Sequence, residues 1–183
     1  DETALPAALA RADELSAFRL VAVEVPLSPG SDPADAVAAI QRAVEGRDLE
    51  VFVEIPRDGR RPEAIAETQA AGFQAKFRTG GIRAELYPDE AELADAIIAV
   101  VGRGLPFKAT AGLHHAVRNT DPDRGFEQHG FLNILQAVAV VLDGGDRDAV
   151  IAALAERDGA ALAARLGALD DERARAVRRS FRS

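Results

Sequence analysis

The sequence predicts an α/β fold, a partial (β/α) barrel of the TIM type with parallel strands, followed by an all-helical C-terminal segment. Three observations predict it. Four short segments rich in Val, Ile and Phe recur at intervals of roughly 24 to 31 residues, which is the size of a βα unit. Helical patterns separate these segments. Within the segments themselves, polar side chains occur at alternate positions.

The four predicted strands are bounded by Pro, Gly or Asp, as strands commonly are. They cover residues 19–27, 49–57, 74–81 and 105–115. The first two are nearly continuous apolar runs, which is typical of strands that helices cover. Alternation of strands and helices through short loops indicates a parallel sheet with right-handed crossovers.

Helix start and stop signals lie between the strands. The first helix begins at Asp32 as N-cap, has Pro33 at its first position and ends at Gly46. The second covers about 62–71, and the third begins near residue 88 with an acidic first turn and ends at a pair of glycines.

Alternate strand residues share a face, and the polar ones fall on one face in each strand. They are Glu24, Glu54, Lys76, Arg78, Lys108 and His114. Regular charges facing helices in an open sheet would be costly, whereas a barrel interior places charges near the carboxyl ends of its strands. A complete barrel has eight strands. We therefore expect the missing strands outside this chain, or a half-barrel that pairs with another chain.

The pattern changes after the fourth strand, so we predict a βα-repeat region over 1–126 and a helical segment over 127–183. Residues 131–142 are apolar on nearly all sides, which indicates burial on most sides or an interface. Further helices are predicted over about 146–157, 160–166 and 170–181. Because exposed strand edges are normally covered, we expect a homo-oligomer, or packing against the remainder of a longer protein.

Composition limits the partners. The net charge is −8, which disfavours binding to nucleic acid and to anionic membrane surfaces. The chain has no cysteine, no signal peptide pattern and no apolar run near the ~20 residues that span a bilayer, so a cytoplasmic location is the expectation. The chain begins at Asp1 and contains no methionine, so we expect either a piece of a longer protein or a chain whose methionines are not represented in the sequence.

Several polar groups are predicted at the carboxyl ends of the strands, where barrel enzymes place their sites. The candidate catalytic residues are Lys76, Lys108, Glu54 and His114. The candidate substrate-binding residues are Glu24, Arg78, Gly80, Gly81, His115 and His129. Of the adjacent histidines, parity directs His114 to the interior. Residues 78–81, "RTGG", would expose backbone N–H groups to an anion.

Two of these strands carry a resemblance. The run "GFQAKFRTGG", followed by "GLPFKATAGLHHAVR", resembles consecutive strands of the deoxyribose-phosphate aldolase group of class I aldolases. The resemblance implies a Schiff-base lysine at Lys76 and a second, activating lysine at Lys108. Phe77 and Arg78 replace the small hydroxyl residues of that pattern, and the histidine pair is an addition. The stretch from Pro106 to Leu135 is also similar to a group of uncharacterised bacterial proteins, which implies no activity.

Three functions remain open from the sequence. The first is a lysine-dependent lyase or aldolase that acts on a small carbonyl or phosphorylated compound and needs no cofactor. The second is a metal-dependent enzyme with ligands from Glu24, Glu54, His114 and His129. The third is a non-catalytic interaction module in which the inward charges form a self-neutralising ion network.

Overall fold

The computed structural model describes residues 1–15 and 17–182, and the chain in it is an α/β protein. Its helices and strands are α1 (Leu5–Asp13), β1 (Ala22–Pro26), α2 (Pro33–Val44), β2 (Glu50–Glu54), α3 (Arg61–Ala70), β3 (Gln74–Arg78), α4 (Glu90–Val101), β4 (Phe107–Thr110), β5 (Asn119–Thr120), β6 (Glu127–Gln128), α5 (Phe131–Leu142), α6 (Arg147–Ala155), α7 (Gly159–Gly167) and α8 (Asp171–Ser180). Every helix in the described ranges is too short to cross a lipid bilayer.

The predicted parallel sheet is confirmed, with its strands in the order β1-β2-β3-β4. Val23 pairs with Val51 between β1 and β2, and Val53 pairs with Ala75 between β2 and β3. Within the described residues the sheet does not close on itself. The barrel therefore stays a prediction.

Contacts divide the chain within β3 into two compact units, unit 1 (Asp1–Lys76) and unit 2 (Phe77–Ser183). The predicted division between residues 126 and 127 follows the change from strands to helices instead. It stays a prediction.

In unit 1, one face of the strands is apolar and buried, as the alternation predicts. Val25, Val53 and Ala75 are buried on that face. The Asp32 carboxylate accepts hydrogen bonds from the N–H groups of Ala34 and Asp35, so the predicted N-cap of α2 is confirmed.

Unit 1 also contains α1, which the sequence interpretation did not anticipate. Its apolar residues Leu5 and Leu9 are buried. Pro6 in its first turn is a start signal, but the helix lacks a capping side chain. Leu15, Phe18 and Val21 stay exposed just before β1.

In unit 2, Phe107 of β4 is fully buried between two other aromatic rings. Its ring centroid lies 5.5 Å from that of Phe77 and 5.2 Å from that of Phe181. Phe181 forms a parallel bridge with Phe107, and the Arg182 N–H donates to the Phe107 carbonyl oxygen at 2.8 Å. The prediction that the C-terminal segment is helical throughout is therefore wrong at its last described residues, because the backbone there pairs with β4.

The apolar helix α5 packs within unit 2 against α4, α6, α7 and α8, and its apolar residues Ile134, Ala137, Val138 and Ala139 are buried. Its polar residue Asn133 is buried as well, and its amide donates to the carbonyl oxygens of Ala153 and Glu156 at 2.9 and 2.7 Å. Helices of the same unit thus cover one side of α5, whereas Phe131 is 40% exposed. The predicted oligomer stays a prediction.

The segment after β4 differs from the prediction. The strand ends at Thr110 rather than near residue 115, because Ala111 and Gly112 have positive φ angles of 67° and 79° that extended backbone does not tolerate. Residues 119–128 form the antiparallel hairpin β5–β6, so the segment predicted to be helical from residue 127 begins with a strand.

Candidate functional site

The most buried charged side chain among the candidates is Lys76, and it lies between two carboxylates. Its Nζ is 2.7 Å from Glu54 Oε2 and 3.0 Å from Glu24 Oε2. The side chains of Lys76, Glu54 and Glu24 are 8%, 16% and 35% exposed, so the cluster opens to solvent at Glu24. We call these three residues the Lys76 centre.

Strand register brings the Lys76 centre together. Glu54 on β2 is the direct partner of Lys76 on β3. Glu24 on β1 is the partner of Phe52, which shares a face with Glu54 because side chains alternate along β2. The three polar side chains therefore project from one face of the parallel strands, opposite the buried valines. The sequence prediction of a shared polar face is confirmed for these residues.

Lys108 lies on β4, in unit 2. Lys108 and Thr110 are half-buried, whereas Phe107 and Ala109 are buried, so these two pairs alternate along the strand as predicted.

Lysine is also rare in this chain. The sequence contains 22 lysines and arginines, and only Lys76 and Lys108 are lysines.

The glycines after β3 have a tight packing role. A Cβ atom on Gly80 would lie 2.9 Å from Gly112 Cα and 2.8 Å from Tyr87 Cε1. The loop after β3 thus presses against the loop after β4, and a larger residue at position 80 would separate them. Arg78, at the end of β3, is half-buried. The proposed anion-binding role of Arg78, Gly80 and Gly81 stays a prediction.

The prediction that strand alternation directs His114 to the interior is wrong, because His114 does not lie on a strand. His114 and His115 follow the end of β4, so strand parity does not apply to them, and both are exposed. His114 borders a polar cavity in unit 2 together with Gly81. The roles of the two histidines in catalysis and substrate binding stay predictions.

His129, a candidate substrate-binding residue from the sequence, is fully buried. Its Nε2 lies 2.8 Å from the Pro88 carbonyl oxygen, to which it donates, so Nδ1 accepts from Arg118 Nη1 at 3.2 Å. Burial lowers the pKa of His129, and the nearby Arg118 charge lowers it further. A neutral imidazole with both nitrogens bonded indicates a structural role.

Arg118 is a buried cation that the sequence interpretation missed. Its guanidinium lies 2.8 Å from Glu90 Oε1 and 3.2 Å from Glu127 Oε2. A hydrogen bond from the Thr120 hydroxyl lowers the pKa of Glu127, and Arg157 and Arg118 act in the same direction. Arg118 lies in a loop, where no periodicity marks a residue as buried, so only the path of the chain reveals it.

The metal hypothesis gains no geometric support. In residues 1–15 and 17–182, no three His, Asp or Glu side chains are grouped so as to hold a metal ion. Lys76 occupies the space between the two glutamates that this hypothesis would use.

The Lys76 centre can therefore act as a lysine flanked by two proton acceptors, or as a self-neutralising ion cluster. The resemblance to the aldolase group stays a prediction. Comparison of the chain with protein-family models, with curated proteins and with solved structures finds no match.

Proposed function

We propose that the chain is part of a (β/α) barrel enzyme, a lysine-dependent lyase of the aldolase type that acts on a small carbonyl compound. The Lys76 centre carries the proposal. A buried lysine with a carboxylate at 2.7 Å has both the nucleophile and the proton acceptor that imine formation requires.

The barrel part of the proposal is supported by strand order. The strands follow one another in sequence as neighbours, and Phe181 adds a further parallel contact beyond β4. Sequential parallel strands with a polar face are the arrangement found in (β/α) barrels.

The scarcity of lysine also supports the chemistry. Arginine serves at the other 20 of the 22 Lys and Arg positions, and a guanidinium does not form an imine with a carbonyl. Arginine would satisfy an ion pair equally well or better. The presence of lysine rather than arginine on two neighbouring strands therefore favours a function that needs an amine.

In the proposed reaction, Glu54 takes a proton from the Lys76 ammonium group. The free amine attacks the carbonyl carbon, a C–N bond forms, and the carbonyl oxygen leaves as water after it has taken up two protons. The bond between the α and β carbons of the iminium then breaks, and its electron pair forms the double bond of an enamine. The β-hydroxyl group gives its proton to a carboxylate of the centre, and the β carbon leaves as an aldehyde. Protonation of the enamine at the α carbon and hydrolysis of the resulting iminium by water release the second product and restore Lys76. Glu24, which is more exposed, exchanges protons between the centre and solvent.

Reductive trapping tests the proposal. The chain is incubated with small aldehydes and ketones in the presence of borohydride, and peptide mapping locates the added mass. We expect the label on Lys76, and we expect Lys76→Arg, which keeps the charge but cannot form an imine, to lose it. Lys108→Arg, which keeps the positive charge that the resemblance implies for an activating lysine, is the matched control and should keep the label on Lys76. The Glu54→Gln variant should slow labelling by about 100-fold, the lower end of general-base effects.

A labelled Lys108 or N-terminal amine with an unlabelled Lys76 would refute the role of Lys76. A complete absence of label would refute lysine chemistry as a whole.

The non-catalytic module is the second candidate. The Lys76 ammonium group is already bonded to two carboxylates, as it would be in a purely structural ion cluster. This alternative predicts that Glu54→Gln and Lys108→Met change stability alone, and that borohydride with a carbonyl compound leaves Lys76 unmodified.

A further inference from the structure

A second group of polar side chains surrounds a cavity of about 400 Å³ in unit 2. The cavity lies between the loop that follows β3 and the loop and hairpin that follow β4. Its polar side chains are Tyr87, His114, Asp121, Asp123, Arg124 and Gln128. This cavity is distinct from the Lys76 centre, which lies in unit 1, and the inference from it does not depend on lysine chemistry.

One wall of the cavity is held in a strained conformation. Ala111 has a φ of 67°, which is uncommon for a residue with a side chain. The Thr79 hydroxyl donates to the Ala111 carbonyl oxygen at 2.7 Å and fixes this turn. Gly112 follows with a φ of 79°, and a Cβ there would lie 2.9 Å from the Thr79 carbonyl oxygen. Strain of this kind concentrates at functional sites, where the surroundings hold it in place.

The opposite wall is ordered by Asp121. Its Oδ1 accepts hydrogen bonds at 2.9 Å from the N–H groups of Asp123 and Arg124, and its Oδ2 accepts one at 3.0 Å from Gln128 Nε2. The bond from the Arg124 N–H, followed by that from Asp123, lowers the pKa of Asp121. A carboxylate oxygen accepts about two hydrogen bonds, so Oδ2 keeps room for one more donor.

Tyr87 adds an acceptor that is equally fixed. Its hydroxyl donates to the Gly81 carbonyl oxygen at 3.0 Å, and its ring packs on Phe126 with centroids 5.5 Å apart. The phenolic oxygen can still accept a hydrogen bond from a bound molecule.

The charges around the cavity select the class of ligand. Two carboxylates, Asp121 and Asp123, would repel a phosphate or a carboxylate, and the nearby Arg124 guanidinium offsets part of their negative charge. A neutral molecule with several hydroxyl groups can donate to the carboxylates and accept from Arg124. We propose that this cavity binds a small, neutral, polyhydroxylated molecule, such as a monosaccharide or another polyol.

Titration of the isotope-labelled chain, followed by amide chemical shifts, tests the proposal. The probes are D-glucose, D-xylose and glycerol, with inorganic phosphate and ethylamine as charged comparisons. We expect a sugar to shift the amide signals of Gly112 and Gln128 with a dissociation constant on the order of millimolar. Arg124→Ala should weaken binding about tenfold, the loss of one charge-assisted hydrogen bond.

Arg83→Ala is the matched control, since Arg83 is an exposed arginine on the loop after β3 that does not line the cavity. Because the Arg124 side chain is exposed, Arg124→Ala should leave the chain folded, and lost binding would then reflect the lost contact with the ligand. A sugar concentration of about 100 mM is far above the expected dissociation constant, and the proposal is overturned if the amide signals do not shift at that concentration. It is equally overturned if phosphate or ethylamine binds more tightly than the sugars, or if Arg124→Ala and Arg83→Ala bind alike.

Discussion

Replacement of Lys76 by methionine should destabilise the chain, whatever its catalytic role. Methionine fills a similar volume without the charge, so Glu24 and Glu54 lose the cation that lies 3.0 and 2.7 Å away. Removal of one partner from a fully buried ion pair costs about 3–5 kcal/mol. Because Glu24 is 35% and Glu54 16% exposed, water compensates part of this loss. We expect about 2 kcal/mol for the loss at this partly open centre.

Urea denaturation followed by circular dichroism measures this change, since the chain contains no tryptophan for fluorescence. A loss of about 2 kcal/mol corresponds to a drop in melting temperature of roughly 4–8 °C in a chain of this size. Adding Glu54→Gln to Lys76→Met should recover part of the stability, because one uncompensated charge is removed. Arg175→Met, which breaks an exposed i,i+4 pair with Asp171, is the control and should change little.

The reasoning is refuted if Lys76→Met is as stable as the unmodified chain. It also fails if the double variant is less stable than the sum of the two single changes predicts.

Three further predictions concern unit 2. Burial lowers the pKa of His129 below the 6.5 of a free imidazole, so the unfolded chain binds more protons as the pH falls below about 6.5. The free energy of unfolding should therefore decrease as the pH falls below that value, and the decrease should end once the pH is below the pKa of folded His129. Urea midpoints measured from pH 7.5 to 5.5 should show this decrease in the unmodified chain and not in His129→Gln. Gly130→Ala places a Cβ about 2.5 Å from Val117 Cα and should cost several kcal/mol, whereas Gly59→Ala, with open space around it, should not destabilise. Ala111→Gly removes the strain of an alanine with a positive φ and should raise the melting temperature by a few degrees. A lower melting temperature in a thermal melt would contradict this prediction.

Alternation along the strands was enough to predict the polar face at Glu24, Glu54 and Lys76. Side chains alternate in any extended segment, and parallel neighbours in register keep the same side, so the pattern of the sequence carries over directly to the sheet. The N-cap at Asp32 was equally predictable, because a cap depends on residues within one turn.

The loop after β4 could not be predicted in this way. Two consecutive residues of positive φ end the strand at Thr110, and one of them is an alanine, which carries no signal for that conformation. Side chains beyond Thr110 therefore do not alternate between two faces of the sheet, and the face predicted for His114 was wrong.

The sequence by itself determined the α/β class, the parallel strands, the ends of α2 and the shared face of the Lys76 centre, because each depends on periodicity or on contacts within a few residues. Only the tertiary structure decided that His129 is buried beside Arg118 and that Phe181 pairs with β4. These contacts join residues far apart in the chain or within irregular loops. Their partners are selected by packing and by the desolvation of buried polar groups, neither of which leaves a periodic trace in the sequence.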